Sequence, residues 1–301
     1  METDHHHHNH SISPDNLNRA FIAGIVLNAS FTAIEFIAGF ANNSLALISD
    51  ASHNLSDVGS LLLSLIGFKL AQKAATEKYT YGYKKATILV SLINAIILMV
   101  IVGGILREAI IRFRQPMEVK GITIMLIAGI GFVINAISAY LFYDKQNRDI
   151  NARGAFLHLL LDALVSIGVV VSGLIMYFTG WMWFDPVISV VIAISIVIST
   201  WGLLRESLRL SIDAVPRDID YDTIKKIMLS QEGVTGVHHI HIWALSSNIN
   251  ALTAHVKVNA ADNTAANHIR ENIRNILLEN KIQHITLELE MGENACSDGR
   301  C

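Results

Sequence analysis

The sequence predicts a six-helix membrane bundle followed by a small α+β domain, and three observations lead there. The 301 residues are 52% hydrophobic and only 16% charged, with a mean hydropathy of +0.43. That is too apolar for an ordinary water-soluble chain and too polar for one lying wholly in lipid. Six stretches are long enough to cross a bilayer, whose hydrocarbon core of ~30 Å takes about 20 helical residues. After Asp213-Ala214-Val215-Pro216 the pattern changes to the alternating and amphipathic segments of a water-facing domain.

Residues 1–16 form a polar tail holding His5-His6-His7-His8-Asn9-His10, a cluster able to bind zinc. The expected spans are Leu17–Phe40, Leu45–Leu70, Thr87–Ile111, Gly121–Phe142, Phe156–Phe178 and Trp181–Leu204, giving a membrane domain over residues 17–210. The N-terminus lacks a charged-then-apolar-then-cleavage pattern, so the first helix is expected to be retained. Basic residues orient the bundle. With the N-terminus inside, Arg19, Lys69, Lys73, Lys78, Lys84, Lys85, Lys145, Arg148, Arg153, Arg205 and Arg209 lie on the inner side. Only Arg107, Arg112, Arg114 and Lys120 lie outside. Both termini are therefore expected in the cytosol. Trp181, Trp183 and Phe184 precede the sixth span in an uncharged outer loop, as interfacial aromatics do.

The soluble domain is expected over residues 211–292. Tyr221–Gln231 reads as a helix with an apolar stripe at Ile224, Ile227 and Met228. Val234–Leu245 and Ile249–Val258 alternate as strands around the Ser246-Ser247-Asn248 turn. Thr264–Asn280 is amphipathic, with Ile269, Ile273, Ile276 and Leu277 on one face, and Ile285–Glu290 alternates again. The order αββαβ suggests an open-faced sandwich with helices on one side of a sheet. Strict alternation would put His239 and His241 on one face of the first strand with Val237 and Trp243, and His238 on the other. The two are then sheet-surface residues more readily than metal ligands. A last tail, residues 293–301, holds the only cysteines, Cys296 and Cys301, so no disulfide framework exists inside the fold. In a reducing compartment the pair would bind metal rather than oxidise. The net charge of −3 gives no support to nucleic-acid binding.

Chemistry concentrates in two matching phrases inside the apolar stretches. His53 and Asp57 are four apart in the second span, and His158 and Asp162 four apart in the fifth. On a helix each pair shares one face about 6 Å apart along the axis. Ionisable groups in lipid are costly and functional by default. Two pairs supply four ligands, the number that tetrahedral zinc takes, from donors that also suit cobalt, cadmium and nickel. One pair alone could be helix–helix glue, but two matching pairs favour a metal site. Their depths agree if the fifth helix starts before Phe156, near Asn147. Asp50, one turn before His53, reads either as an outer carboxylate orienting that histidine or as a helix-start residue in water. Glu35, Asn28, Asn94 and Asn135 read as interhelical hydrogen-bonding groups. Bound histidines must be neutral and carboxylates ionised, so protons and metal compete for the site.

These residues resemble the cation diffusion facilitators, in particular the zinc-exporting subgroup that includes the bacterial zinc/cobalt/cadmium exporters. The resemblance rests on Ser44-Leu45-Ala46-Leu47-Ile48-Ser49-Asp50-Ala51-Ser52-His53 with Asp57, on Tyr79-Thr80-Tyr81-Gly82-Tyr83-Lys84-Lys85-Ala86, on His158 with Asp162, and on Asp213-Ala214-Val215-Pro216. It implies a homodimer of six-span protomers in the cell (inner) membrane, each with a cytosolic domain of metallochaperone or ferredoxin-like fold, exporting Zn2+ (also Cd2+ or Co2+) in exchange for H+. It implies a transport site at His53, Asp57, His158 and Asp162, and the first histidine favours zinc over manganese or iron. It also implies a charge interlock between Lys85 and Asp213. One cytosolic metal position falls on His238, His255 and Glu290, and a neighbouring one on His268 and Glu288. Tyr79 and Tyr83 stand where some members carry histidine ligands, so no metal site is expected there, and Tyr143–Arg153 lacks the histidine-rich loop of eukaryotic members. Zinc is then cargo and a cytosolic-domain ligand rather than a catalytic cofactor. A membrane-embedded zinc metalloenzyme is the alternative, but it would need an open coordination position and a general base, and no His-Glu-x-x-His phrase occurs. A zinc-sensing membrane protein fits less well, because six spans around a buried site exceed what sensing needs.

Overall fold

The structure, a computed structural model, describes residues 14–143 and 150–291. The histidine cluster at 5–10 and Cys296 and Cys301 lie outside these residues, as does most of the loop before the fifth helix. Six long helices come first: α1 (Pro14–Ala41), α2 (Leu45–Ala71), α3 (Ala86–Arg114), α4 (Gly121–Tyr143), α5 (Ile150–Thr179) and α6 (Phe184–Ser211). Then follow α7 (Tyr221–Leu229), β1 (Val234–Ser246), β2 (Ile249–Val258), α8 (Asn263–Glu279) and β3 (His284–Met291). Among the described residues, four helical stretches are long and apolar enough to cross a membrane: Ala86–Arg114, Gly121–Tyr140, Leu159–Thr179 and Phe184–Ser211. In α2 the run Ser49 to Asp57 interrupts the apolar sequence with seven polar residues. The long helices turn Val100, Leu126, Ile137, Val191 and Ile198 outward, an apolar coat that suits lipid and not water.

Two helix ends differ from the expected spans. Helix α5 is already formed at Ile150, six residues before Phe156, and α6 begins after Trp181 and runs on to Ser211. The physical reason is the same at both ends. Apolarity marks where a helix meets lipid, while Arg153, Arg205, Glu206 and Arg209 continue the helix as good formers in water.

The described chain packs as two compact units, one of residues up to 59 with 98–199, the other of 60–97 with residues from 200 onward. In the first, Leu45, Leu47, Val102, Ile105, Ile124, Val169, Met176, Ile192 and Ile196 form a continuous core. Its polar anchor is Asp185, the second residue of α6. Ser44 caps α2, its Oγ accepting from the Leu47 amide (3.2 Å) and donating to Asp185 Oδ1 (2.7 Å). The Leu45 and Ala46 amides donate to the same carboxylate at 2.7 and 3.1 Å. A carboxylate is favourable there, where a helix N-terminus presents free N–H groups and the positive end of its dipole. Arg112 of α3 completes the node: it is 3.3 Å from Asp185 Oδ2, donates to the Asn43 carbonyl, and pairs with Glu108 at 3.1 Å. Helices α4 and α5 touch at backbone level, because a Cβ on Gly173 would lie 2.8 Å from the Gly121 carbonyl oxygen and one on Gly121 2.6 Å from that of Gly173. Small residues permit such close approach between membrane helices.

In the second unit the sheet order is β1-β2-β3, with β1 and β2 antiparallel and β2 and β3 parallel. The element order αββαβ is the expected one. Ile224 and Met228 of α7 and Ile273 and Leu277 of α8 bury one face of the sheet against Ile240, Ile242, Leu252 and Val256. Asp220 and Asp262 cap the two helices, accepting from the Thr223 and Ala265 amides. Among the described residues, neither α7 nor α8 covers the other face of the sheet.

Alternation on β1 departs from expectation. His238 pairs with His255 and His241 with Thr253, so three steps on β1 oppose two on β2. That is a β-bulge, centred on His239, whose φ is +47°. The bulge resets the pleat. Val237, Ile240, Ile242 and Ala244 all point into the core, so His239 shares the outer face with His238 and with the exposed His241, as expected for His241, but not with Val237.

Asp185→Ala leaves buried Arg112 with Glu108 alone and the start of α2 without its acceptor, a loss of about 3–5 kcal/mol, and should lower the thermal unfolding midpoint of the detergent-solubilised protein sharply. An unchanged midpoint would remove Asp185 from its anchoring role. Gly173→Val forces α4 and α5 apart at a site with no free space and should cost about 1–3 kcal/mol in the same assay, with Gly168→Ala, where a Cβ meets nothing within 4 Å, as the neutral comparison.

Candidate functional site

The polar residues of α2 sort themselves by helical position. Ser49 and Ser52 donate back to the Leu45 and Ile48 carbonyls at 2.7 Å, spending their hydroxyls within the helix. His53 and Asn54 instead reach other helices. Asn54 Nδ2 donates to Glu35 Oε2 of α1 at 2.7 Å, the interhelical role expected of Glu35. His53 Nε2 lies 3.0 Å from Asp162 Oδ1 of α5, with side-chain exposures of 15% and 7%. Two residues more than a hundred positions apart thus meet inside the apolar bundle, one from each of the two matching phrases. Asp57 follows His53 by one turn of α2, and His158 precedes Asp162 by one turn of α5. The side chains of Asp57 and His158 lie outside the described parts of those helices.

Asp50 is 2% exposed, so it is not a helix-start residue in water. Its ionisable neighbours are Glu35, His53 and Asp162, and Ser166 of α5 lies beside it. Phe31 of α1 covers this region by packing on Gly131 of α4, where a Cβ would come within 2.7 Å of its ring. Asn94 and Asn135 are buried within their helices.

An anionic and a cationic side chain also meet in the second unit, between the turn before α3 and the segment after α6. Lys85 Nζ is 2.5 Å from Asp213 Oδ1, and Asp213 has φ +62°. Both groups are more than a third exposed, so the pair by itself is worth at most about 1 kcal/mol. The Tyr79 and Tyr83 rings lie 4.8 Å apart, with Lys73 Nζ 5.9 Å from the Tyr83 ring centre. Just beyond, Thr87 Oγ1 accepts from the Ser247 amide (3.0 Å), and the Tyr81 ring meets His284 edge-on at 5.2 Å. The start of α3 therefore touches the tip of the β1–β2 hairpin, and the turn before it touches the start of β3.

The helix-free face of the sheet gathers the cytosolic candidates. Glu290 Oε1 lies 3.1 Å from His238 Nε2 and 2.9 Å from His255 Nδ1, and Glu288 Oε2 is 3.5 Å from His255 Nε2. Partial burial opposes ionisation of Glu290, but the His255 hydrogen bond and the charges of His238, His255 and Lys257 outweigh it and hold the carboxyl below its ordinary range. His239 joins the group although alternation assigned it elsewhere. Its ring centre is 5.0 Å from that of His238 and 5.1 Å from that of His255. Each of these three histidines offers a ring nitrogen within 4.8 Å of the others. His268 is exposed on α8, in the helix layer, whereas Glu288 points from the opposite face. One chain does not bring those two together. The signal for His239 in the sequence is the His238-His239 doublet itself, since a doublet on a strand can share a face only through a bulge.

The profile of the cation efflux transmembrane domain matches residues 21–210, and that of the cation efflux protein cytoplasmic domain matches residues 216–291. A cadmium, cobalt and zinc/H(+)-K(+) antiporter of Bacillus velezensis is 36% identical over 287 residues, covering 94% of this chain and 91% of that protein. The zinc transporter ZitB of Escherichia coli is 32% identical over 293 residues, covering 96% and 93%. Among solved structures, the metal-bound C-terminal domain of the CzcD transporter from Cuprividus metallidurans is 32% identical, covering 24% of this chain and 99% of that one, with a TM-score of 0.23. These relatives are transporters and not enzymes. Matched over most of its length by both domain profiles and by full-length relatives, the chain belongs to the cation efflux family.

Proposed function

We propose that this protein is a proton-coupled exporter of divalent metal, chiefly zinc, and that His53, Asp57, His158 and Asp162 form its transport site. The observation that carries the reading is the 3.0 Å contact between His53 of α2 and Asp162 of α5 inside an apolar bundle. Spans two and five cross the membrane in opposite directions. When His53 and Asp162 are level, Asp57 and His158 one turn further along are level as well, and the four donors close around one point. Six spans, with α1 and α2 counted among them, leave both termini on the basic, cytosolic side of the inner membrane.

Neutral imidazole and carboxylate bind zinc, cadmium and cobalt, the metals in the names of the relatives. Proton exchange follows from the same donors. A histidine protonated on the acidic outer side can no longer ligate, so the metal leaves there, and loss of that proton on the inner side restores the site. Asp50, buried beside His53 and Asp162, supplies the outer carboxylate that orients the ligands. The protein works as a homodimer, supported by its match to a cytoplasmic-domain family named for dimerisation. Lys85 and Asp213 form the charge interlock at the membrane exit. A second metal sits on the helix-free face of the cytosolic sheet, at His238, His255 and Glu290, while His268 and Glu288 could serve one metal only across two chains.

In proteoliposomes, zinc flux should require an opposing proton gradient and should fall to background with His53→Ala or Asp162→Ala. Flux equal to wild type in either variant would overturn the site. His53→Asp replaces a nitrogen ligand with a hard oxygen ligand, which suits manganese better. Competition between the two ions should show a lower preference for zinc over manganese in that variant, and an unaltered preference would remove His53 from metal selection.

A further inference from the structure

A bulge on β1 needs only a residue that tolerates positive φ, and glycine or asparagine meets that need with less strain than histidine. Here the position holds His239 at φ +47°. Backbone strain of this kind persists where the surroundings enforce it, and it is found at ligand sites. Its result is specific. The bulge takes an imidazole that regular alternation would turn away and sets it beside His238 and His255, with the three ring centres 5.0, 5.1 and 5.3 Å apart. Glu290 lies under two of these rings. Its Oε1 is within 3.1 Å of both His238 and His255, while its buried Oε2 has no hydrogen-bond partner among the described residues.

We propose that His239 is a metal ligand and that the cytosolic metal site closes within a single chain, from His238, His239, His255 and Glu290. This rests on the reading that the helix-free face of the sheet binds a divalent metal, and it changes what completes that site. Three imidazoles and one carboxylate are a full tetrahedral set for zinc. Such donors suit zinc, cobalt, nickel and copper and discriminate against magnesium, calcium and manganese. Ligand atoms around a metal at about 2.0–2.1 Å stand about 3.3 Å apart. The three ring nitrogens, within 4.8 Å of one another, therefore need to draw in by about 1.5 Å, which rotation of the imidazoles provides. Glu288, 3.5 Å from His255, is placed to orient that ring as an outer partner. His268 is not needed, since it stands in the helix layer on the other side of the sheet. The cytosolic domain can then load metal before two chains meet.

The test uses the full-length protein in detergent with the membrane site silenced by His53→Ala and Asp162→Ala. Zinc is titrated against a chromophoric chelator, and cobalt absorption, intense for four-coordinate and weak for six-coordinate metal, is read in parallel. His239→Gly keeps positive φ accessible, so the bulge survives the loss of the ring. The expected result is one tight zinc per chain at the sheet in the parent, counted with His5 to His10 replaced by alanine and Cys296 and Cys301 by serine. His239→Gly and His238→Ala should each weaken it at least as much as the 10–100-fold that loss of an outer partner costs and should abolish the four-coordinate cobalt spectrum, with His268→Ala unchanged. If His239→Gly titrates like the parent while His238→Ala loses the metal, the sheet still binds metal and the role of His239 is overturned. Loss of the site in His268→Ala would show that a second chain completes it, which overturns closure within one chain. If neither His238→Ala nor His239→Gly alters the titration, the sheet holds no metal there and both readings fail.

Discussion

Inside hydrocarbon an ionisable group has no water to turn to, so it must be met by a donor, a cation or a metal from another helix. That constraint decides which faces of the long helices meet. Asp185 is met by the start of α2, through Ser44, Leu45 and Ala46, and by Arg112. Glu35 is met by Asn54, and His53 by Asp162. Buried ion pairs of this sort add little net stability compared with well-packed apolar residues. What they give is position, because removing either partner is expensive and sliding one helix past another would do that.

These meetings differ in how completely they are closed. The Asp185 carboxylate has both oxygens occupied by amides, a hydroxyl and a guanidinium, an arrangement with no vacancy for a further ligand. His53 and Asp162 meet across α2 and α5 at 3.0 Å, with Asp50 buried beside them, and both donor types also bind metal. The Asp185 node grips the start of α2, little more than two turns before His53 on the same helix, so it helps to hold His53 in place.

The cytosolic domain follows a different logic, since water reaches one face of its sheet. There the position of ligands is set by pleat and register rather than by the cost of burial. Residues of β2 and β3 keep strict alternation, and His255, Glu288 and Glu290 fall on one face as the period of two requires. On β1 the bulge interrupts that period and adds His239 to the same face. Contacts from Thr87 to the hairpin tip and from Tyr81 to His284 attach this sheet to the start of α3 and the turn before it, so the histidine-bearing sheet and a long apolar helix belong to one packed unit.

Much of this was legible in the sequence, and the parts that were not share a cause. Apolar stretches of membrane length, the amphipathic stripe of α8, the alternation of β2 and the paired His-x-x-x-Asp phrases are all local patterns, and each corresponds to an element in the structure. Helix ends such as Ile150 and Ser211 lie beyond the apolar stretches because hydropathy reports where lipid begins, while the helix continues as long as its residues favour it. Arg112 gave no sign of its role, because a single arginine near a span end usually faces water, and only the arrival of Asp185 from α6 buries it. The bulge at His239 was equally hidden, since backbone strain at one residue is decided by the register of the partner strand. The sequence alone determined the elements, their order and the ionisable side chains placed among apolar residues, because these depend on periodicity and on the cost of burying charge. The tertiary structure decided which carboxylate meets which histidine, because groups distant in the chain are brought into contact only by packing.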